Sequence, residues 1–384
     1  MDFIYLDHAA TSPLRAEVRQ AMEPFLSERF GNPASAHAWG RSARQALETA
    51  REEAAAALGA RPQEIYFTGG GTESDNLALL GRAWPLGPGG DQPGAVVIST
   101  LEHSAIREPA EMLEHGGGQV EFVPVAPDGS LNDSHLESAL NEAPDVVSFA
   151  WVNSETGLRL PVEAVASRTR ERGVALHCDA VQAVGRLPVR VDRVPVDLLT
   201  ASGHKLGGPR GTGLLFVRQG VEVAPRTVGG GQEGGLRSGT VNVAGAVGLA
   251  RALSLAQEEQ PAEARRLEEL RDELEATLVE GIPGLVTHGE REARAPHILS
   301  VGVPDLPGDV LLAALDAEGV AVSAGSACMS GTPGPGPSLQ ALYGKEARSR
   351  APLRFSLGRT TTRDEAREAA RRTVEVAGRV AETV

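Results

Sequence analysis

Lysine occurs at only two positions, 205 and 345, in a chain whose Lys and Arg together number 37. Arg keeps its proton at any ordinary pH, whereas an amine can lose one and act as a nucleophile, so each retained Lys is a candidate for amine chemistry. Genomic bias with two chance survivors would give the same count. Lys345 sits in Tyr343-Gly344-Lys345-Glu346, with no motif around it. Lys205 sits in Ser202-Gly203-His204-Lys205-Leu206-Gly207-Gly208, downstream of Asp179, which closes the apolar run Val174-Ala175-Leu176-His177-Cys178. Ligands of open α/β sheets gather outside the carboxyl ends of the strands, so an acid there is placed to work. If the strands before Asp179 and before Ser202 are neighbours, acid and amine face one pocket.

A third element is Phe67-Thr68-Gly69-Gly70-Gly71-Thr72-Glu73-Ser74, where a strand pattern passes through glycines into a helix start. Exposed amides and a Thr hydroxyl at a helix start make an anion site, although a plain tight turn has the same composition. The GxxxxGK[ST] pattern of nucleotide triphosphate sites is absent. Gly229-x-Gly231-x-x-Gly234 matches the dinucleotide fingerprint in form only, because no strand pattern precedes it and Leu236-Arg237-Ser238-Gly239 does not read as a helix. A strand-end acid, a nearby Lys and a phosphate cradle together meet the needs of pyridoxal 5'-phosphate: Schiff-base amine, partner for the ring nitrogen, and anchor.

The two cysteines differ in setting. Cys328 lies in a stretch from Ser323 to Ser338 in which 11 of 16 residues are Gly, Pro or Ser. So little apolar material implies an accessible, mobile loop, as a nucleophilic or redox thiol requires, though an incidental loop Cys fits too. Cys178 falls in an apolar strand and reads as a small buried hydrophobe.

The elements that must position these residues follow from hydrophobic periodicity. Strands are expected at Glu64–Phe67, Ala95–Ser99, Val120–Val125, Val146–Trp151, Val174–Cys178, Asp197–Thr200 and Gly213–Val217, alternating with helices at Asn76–Trp84, Ala105–Glu114, Leu136–Asn141 and Val162–Arg172. A Ser134-x-x-Glu137 capping box is expected to open the third of these helices, and Thr362-x-x-Glu365 the last helix of the chain, Asp364–Ala381. Helices at Arg15–Arg29 and Gly40–Leu58 precede the first strand. A long helix over Val243–Glu280 leads to a smaller α/β unit, with strands near His297–Val301, Val320–Ser323 and Leu353–Ser356 and a helix near Val310–Glu318. The alternation signals an α/β layer on a largely parallel sheet.

Net charge is −14, which opposes nonspecific nucleic-acid or anionic-membrane binding. No apolar run approaches the length of a membrane span. The N-terminus shows neither the basic segment nor the apolar core of a signal peptide, so a cytoplasmic protein is expected. Two Cys cannot build a disulfide framework, and no CxxC or HExxH pattern offers metal ligands.

Taken in order, Tyr5-Leu6-Asp7-His8-Ala9-Ala10-Thr11, Phe30-Gly31-Asn32-Pro33-Ala34-Ser35, the glycine-rich turn, Glu102-His103, His177-Cys178-Asp179-Ala180-Val181-Gln182, Ser202-Gly203-His204-Lys205, Gly229-Gly230-Gly231-Gln232-Glu233, Arg237-Ser238-Gly239-Thr240, Gly325-Ser326-Ala327-Cys328 and Arg354-Phe355-Ser356-Leu357-Gly358-Arg359 resemble the cysteine desulfurases of the NifS/IscS type, within the class V aminotransferases. The resemblance implies a fold type I pyridoxal-phosphate transferase. Residues 15–259 would form a large cofactor domain on a mostly parallel seven-stranded sheet, and 1–14 with 260–384 a smaller α/β domain carrying the Cys loop, 323–338. It implies removal of sulfur from L-cysteine, giving L-alanine and a persulfide on Cys328 for an iron–sulfur scaffold or tRNA-thiolation enzyme.

The same resemblance assigns roles. Lys205 would carry the Schiff base and move protons, Asp179 would pair with the pyridine nitrogen, and His103 would stack on the ring as an acid or base. Gln182 would bond the ring hydroxyl, with Asn153 near it and the substrate carboxylate. Gly71, Thr72, Ser202 and His204 would hold the phosphate, joined by Thr240 from the other subunit of a homodimer. Arg354 would clamp the substrate carboxylate, with Asn153 and Asn32 as further substrate contacts. No metal, nucleic acid or membrane is implied. The chain departs from the family's usual Asn-Asn-Glu at Asn153-Ser154-Glu155, from Asp-Tyr-Ala at Asp7-His8-Ala9, and carries Cys178 before Asp179. A selenocysteine lyase, another pyridoxal-phosphate lyase or aminotransferase, and a noncatalytic binding protein are the competing readings.

Overall fold

Runs such as Val146-Val147-Ser148-Phe149-Ala150 and Gly213-Leu214-Leu215-Phe216-Val217 carry no charge and have no polar face to leave in water, and every residue of both is buried. In the computed structural model, which describes residues 3–84, 92–325 and 335–383, they are strands of a seven-stranded sheet. After a two-residue strand β1 (Ile4–Tyr5), helices α1 (Ala16–Leu26) and α2 (Ala38–Leu58) lead into β2 (Ile65–Thr68), α3 (Gly71–Ala83), β3 (Ala95–Ser99), α4 (Ser104–His115) and β4 (Gln119–Val123). Then come α5 (Asp133–Asn141), β5 (Val146–Ala150), α6 (Val162–Glu171), β6 (Ala175–Asp179), β7 (Leu198–Ser202) and β8 (Gly213–Val217).

The sheet order is β2-β8-β7-β6-β5-β3-β4, and all neighbours are parallel except β8, which runs against both β2 and β7. Successive residues serve opposite faces. Val96, Ile98, Leu198 and Leu215 pack with α3 and α4, whereas Val97, Leu199 and Leu214 pack with α2, α5 and α6. The sheet therefore carries helices on both faces, as its uninterrupted apolar strands require.

Helix α7 (Val243–Gly281) joins this layer to the rest. Leu249 and Leu253 in its first half belong to the main core, and Leu267, Leu270, Leu274 and Leu278 in its second half belong to a separate cluster with β10 (Ile298–Pro304), α8 (Gly308–Ala317), β12 (Arg350–Ser356) and α10 (Arg363–Ala381). There β12, β10 and β9 (Val286–Thr287) form an antiparallel sheet in that order, and β11 (Val320–Ala321) pairs in parallel with β1. A short helix α9 (Pro337–Tyr343) precedes β12. No helix among the described residues is long and apolar enough to cross a membrane.

Three local expectations need correction. Helix α5 is capped by Asn132, whose Oδ1 accepts from the His135 amide at 3.0 Å, and Ser134 lies inside the helix donating to the same oxygen. Helix α3 begins at Gly71, earlier than its apolar period suggests, because its first turn faces a cavity and has no apolar stripe. Strand β11 stops at Ala321, and Ser323 instead bridges to Arg354 of β12. The Thr362–Glu365 capping box forms as expected.

Candidate active site

The sheet order reverses at β3: the chain leaves it outward to β4 and returns to β5 on its other side. Crevices outside the carboxyl ends of strands at such a switch point are where open α/β sheets bind ligands. Asp179 ends β6, Ser202 ends β7, Gly69 and Gly70 link β2 to α3, and Glu102-His103 links β3 to α4, all on that edge. A cavity of about 320 Å3 opens there. Every site residue singled out in the sequence lines it except Cys328, Asn32 and Thr240. Asn32 and Thr240 are exposed elsewhere on the chain. Cys328 lies outside the described residues, but Gly325 and Pro337 on either side of it line the cavity.

Strands β6 and β7 are neighbours, which brings Asp179 and Lys205 to one pocket. The Lys205 amine follows Ser202 in a short 3-10 turn and donates to the Ala10 carbonyl at 2.8 Å and to that of Ala9. Ala9 is held in turn, its carbonyl accepting from Gln182 Nε2 at 2.9 Å and its amide donating to Ser356 Oγ at 2.9 Å. Asp179 Oδ1 accepts from the Val181 amide at 2.9 Å. Burial pushes the Asp179 carboxyl up, against the Val181 amide and the His103 and Lys205 charges that favour ionisation. A buried carboxylate of this kind is stabilised by a cation placed against it.

The turn before α3 needs glycine for two separate reasons. Gly70 has φ +154°, a conformation nearly closed to other residues, with nothing near its missing side chain. A Cβ on Gly71 would approach Val181 to 3.0 Å and Ser202 to 3.6 Å, so the helix start lies tightly against the β7 end. No side chain caps α3, which leaves its first amides facing the cavity beside Thr72 and Ser202. His204 bonds Thr11 Oγ1 through Nδ1 at 3.2 Å, and burial, aided by the Lys205 and Arg210 charges, pushes it down to about 4. It is a neutral donor at neutral pH. One amine, one buried carboxylate and an uncapped helix start with flanking hydroxyls fit pyridoxal 5'-phosphate.

His103 caps α4, its Nδ1 accepting from the Ala105 amide at 3.1 Å. That bond puts the proton of the neutral ring on Nε2. Burial lowers its pKa, with Asp179 opposing. Asn153 is committed within the chain: Nδ2 donates to the Leu101 carbonyl at 2.8 Å and Ser338 Oγ at 2.9 Å, and Oδ1 accepts from Thr156. Arg354 is buried and pairs with Asp7 Oδ1 at 2.7 Å, donating also to the Ser154 carbonyl at 2.9 Å and the Gly325 carbonyl at 2.5 Å, while its Nε has no partner.

Sequence reasoning missed several participants. Asp7 as the Arg354 partner and the Ala9-Ala10 carbonyls lay in a motif that was recognised, but their contacts are with residues far along the chain. Glu102 is buried, accepts from the Ala150 amide at 2.9 Å, and is pushed up to about 8 by that burial, so it is a neutral acid at neutral pH. Asp75 lines the same cavity and burial pushes its carboxyl well up. Cys178 is buried with its thiol pushed well up by burial, and Lys345 is exposed.

A fold with helices on both faces of this sheet, and an amine and acid outside the carboxyl ends of two adjacent strands, is that of a pyridoxal-phosphate transferase. The model of the aminotransferase class-V family matches residues 4–368, and the chain belongs to that family. Cysteine desulfurase IscS of Dictyoglomus turgidum is 41% identical over 362 residues, covering 94% of this chain and 91% of its own. A solved NifS-like protein is 33% identical with a TM-score of 0.89, covering 98% of this chain and 99% of its own. SspA in complex with cysteine is 30% identical with a TM-score of 0.78, covering 92% of this chain and 98% of its own.

Proposed function

We propose that this protein is a pyridoxal-phosphate-dependent cysteine desulfurase that transfers sulfur from L-cysteine to Cys328. The observation that carries the reading is the meeting of Lys205, Asp179, the α3 start and Arg354 around one cavity, in a chain whose relatives are cysteine desulfurases. Gly71, Thr72, Ser202 and His204 would hold the phosphate, Asp179 the ring nitrogen, Gln182 the ring hydroxyl, and Lys205 the covalent link. When bound, the cofactor supplies an electron sink for bond cleavage at the substrate.

The chain's own groups do the rest. Arg354 offers its guanidinium fork to the substrate carboxylate, in competition with Asp7. His103, neutral and protonated on Nε2, and the Lys205 amine hold and move protons at the substrate carbons. The Cys328 thiolate attacks the substrate sulfur. A sulfur–sulfur bond forms, the carbon–sulfur bond breaks with its electron pair left on carbon, and that carbon takes up a proton. L-cysteine and one thiol thus become L-alanine and one persulfide, with no outside oxidant or reductant.

Asn32 and Thr240 fall outside the cavity of a single chain, and Leu26, Phe30 and Trp39 near Asn32 are exposed. A homodimer would cover these side chains and complete the phosphate site with Thr240 of a second copy. The persulfide sulfur then passes to an acceptor protein. We place the division into two domains near residue 260, between the halves of α7 that serve different cores.

Mass spectrometry after incubation of the cofactor-loaded protein with L-cysteine tests the reading. One added sulfur on Cys328 is expected, together with L-alanine. Cys328→Ala should keep the yellow absorbance of the cofactor and lose the added sulfur, and Lys205→Ala should lose the yellow band. Sulfide release unchanged in Cys328→Ala would refute it.

A further inference from the structure

A second cavity, of about 30 Å3, adjoins the first at Lys205, the one residue that lines both. His8, Ser12 and Arg15 of the N-terminal segment, Arg186 after β6, Glu259 and Glu263 of α7, and Arg359 after β12 surround it. Arg15 is buried and gives its two Nη atoms to Glu259 at 3.0 and 2.5 Å, while its Nε is buried with no partner. Glu263 pairs with Arg266 at 2.8 Å. Those two pairs cancel in charge. Arg186 is different: its hydrogen bonds are all made by the backbone, and among the described residues no acceptor lies within hydrogen-bond or ion-pair reach of its guanidinium. It is only partly exposed, and burial lowers its pKa, with Glu263 and Glu259 opposing. The exposed Arg359 side chain has no such partner among the described residues either. Burial, helped by the Arg186 charge, holds His8 at about 4, so its ring is neutral, and its Nδ1 bonds Ser12 Oγ at 3.1 Å. The cavity wall therefore carries two guanidinium charges in excess of its carboxylates. A guanidinium drawn from water without a counter-charge is costly, and an anion brought to it offsets that cost.

We propose that this cavity binds a small inorganic monoanion of the halide class, held by the Arg186 guanidinium with the Arg15 Nε–H, the Ser12 hydroxyl and the Arg359 charge around it. Size sets the class. A polar cavity needs about 10–15 Å3 to hold one water, so a space of about 30 Å3 admits chloride and is too small for phosphate, sulfate or an amino acid. Charge sets it too: Glu259 and Glu263 stand in the same wall and repel a second negative charge. The two cavities share no lining residue besides Lys205, so the halide site is separate from the phosphate cradle at Gly71 and Thr72 and from the Arg354 clamp.

Two probes test this on the cofactor-loaded protein: bromide, located by its anomalous scattering in crystals, and chloride, titrated against gluconate at constant ionic strength so that general screening does not change. A bromide peak is expected beside Arg186. The melting temperature should rise by about 1–2 °C for each tenfold increase in chloride above half-saturation, with gluconate giving no such rise. Arg186→Gln should lose both the peak and the chloride dependence. Glu263→Gln, which takes a carboxylate out of the wall, should lower the half-saturating chloride concentration about threefold. No bromide peak in the cavity of the wild-type protein, a chloride dependence that survives Arg186→Gln, or weaker chloride binding in Glu263→Gln would each overturn the proposal. If Arg186→Gln does not fold, the bromide map and the Glu263→Gln titration decide. Neither probe reads the reaction with L-cysteine, so these outcomes stand apart from the fate of the functional reading.

Discussion

His103 receives the Ala105 amide on Nδ1, and burial keeps its ring from taking a second proton until the pH falls below the usual histidine value of 6.5. Protonation removes that acceptor and puts a positive charge beside Lys205. The rate of alanine formation should therefore fall on an acid limb below 6.5 that belongs to His103. His103→Gln should keep the cofactor absorbance, lower the rate and flatten that limb. An acid limb of the same shape in wild type and variant would assign it elsewhere. His103 was legible because a motif carries it. Glu102 beside it was legible only as a letter, since its displacement to about 8 comes from burial under β5, which adjacency in sequence does not reveal.

At the scale of elements, helix starts expose how local rules compete. Both Asn132 and Ser134 are good caps, and the Ser134-x-x-Glu137 spacing favoured the second. The chain uses Asn132, so Asp133 and Ser134 form the first turn, and Leu136 points its side chain into the core. Asn132→Ala should destabilise the protein by about 1 kcal/mol, the usual worth of a cap, whereas Ser134→Ala should change it by less than about 0.5 kcal/mol. Urea unfolding of the two variants checks this, and equal losses would restore the capping box. Strand positions were readable because uncharged apolar runs between breakers have few alternatives. The first turn of α3 was not, because a helix start that faces a ligand cavity lacks the apolar stripe by which helices are found.

The whole molecule buries several histidines without charging them. Burial sets His8, His204 and His288 at about 4 and His177 at about 3. Because their folded values lie below 6.5, the unfolded chain binds more protons than the folded one as pH falls from about 6.5 to about 4, so stability is lost across that window. Glu102, at about 8, acts in the opposite sense, joined by Asp75, Glu155, Asp179 and Asp197, which burial also pushes up, but these five carboxyls are outnumbered by six histidines, because burial lowers His103 and His297 as well. The melting temperature of the cofactor-free protein should drop steadily from pH 7 to pH 5, and a flat or rising profile would contradict the burial of these rings. Composition and motif by themselves determined the α/β class and singled out Lys205, Asp179 and Cys328 as candidates, because each depends on residue type and short spacing. Tertiary structure alone decided which groups hold them. Asp7 and Arg354 lie 347 positions apart in the chain, and the bond from Asn153 Nδ2 to Ser338 Oγ spans 185, joining segments that no local pattern connects. Burial and long-range approach set those charges and contacts, and both come into being only when the chain is folded.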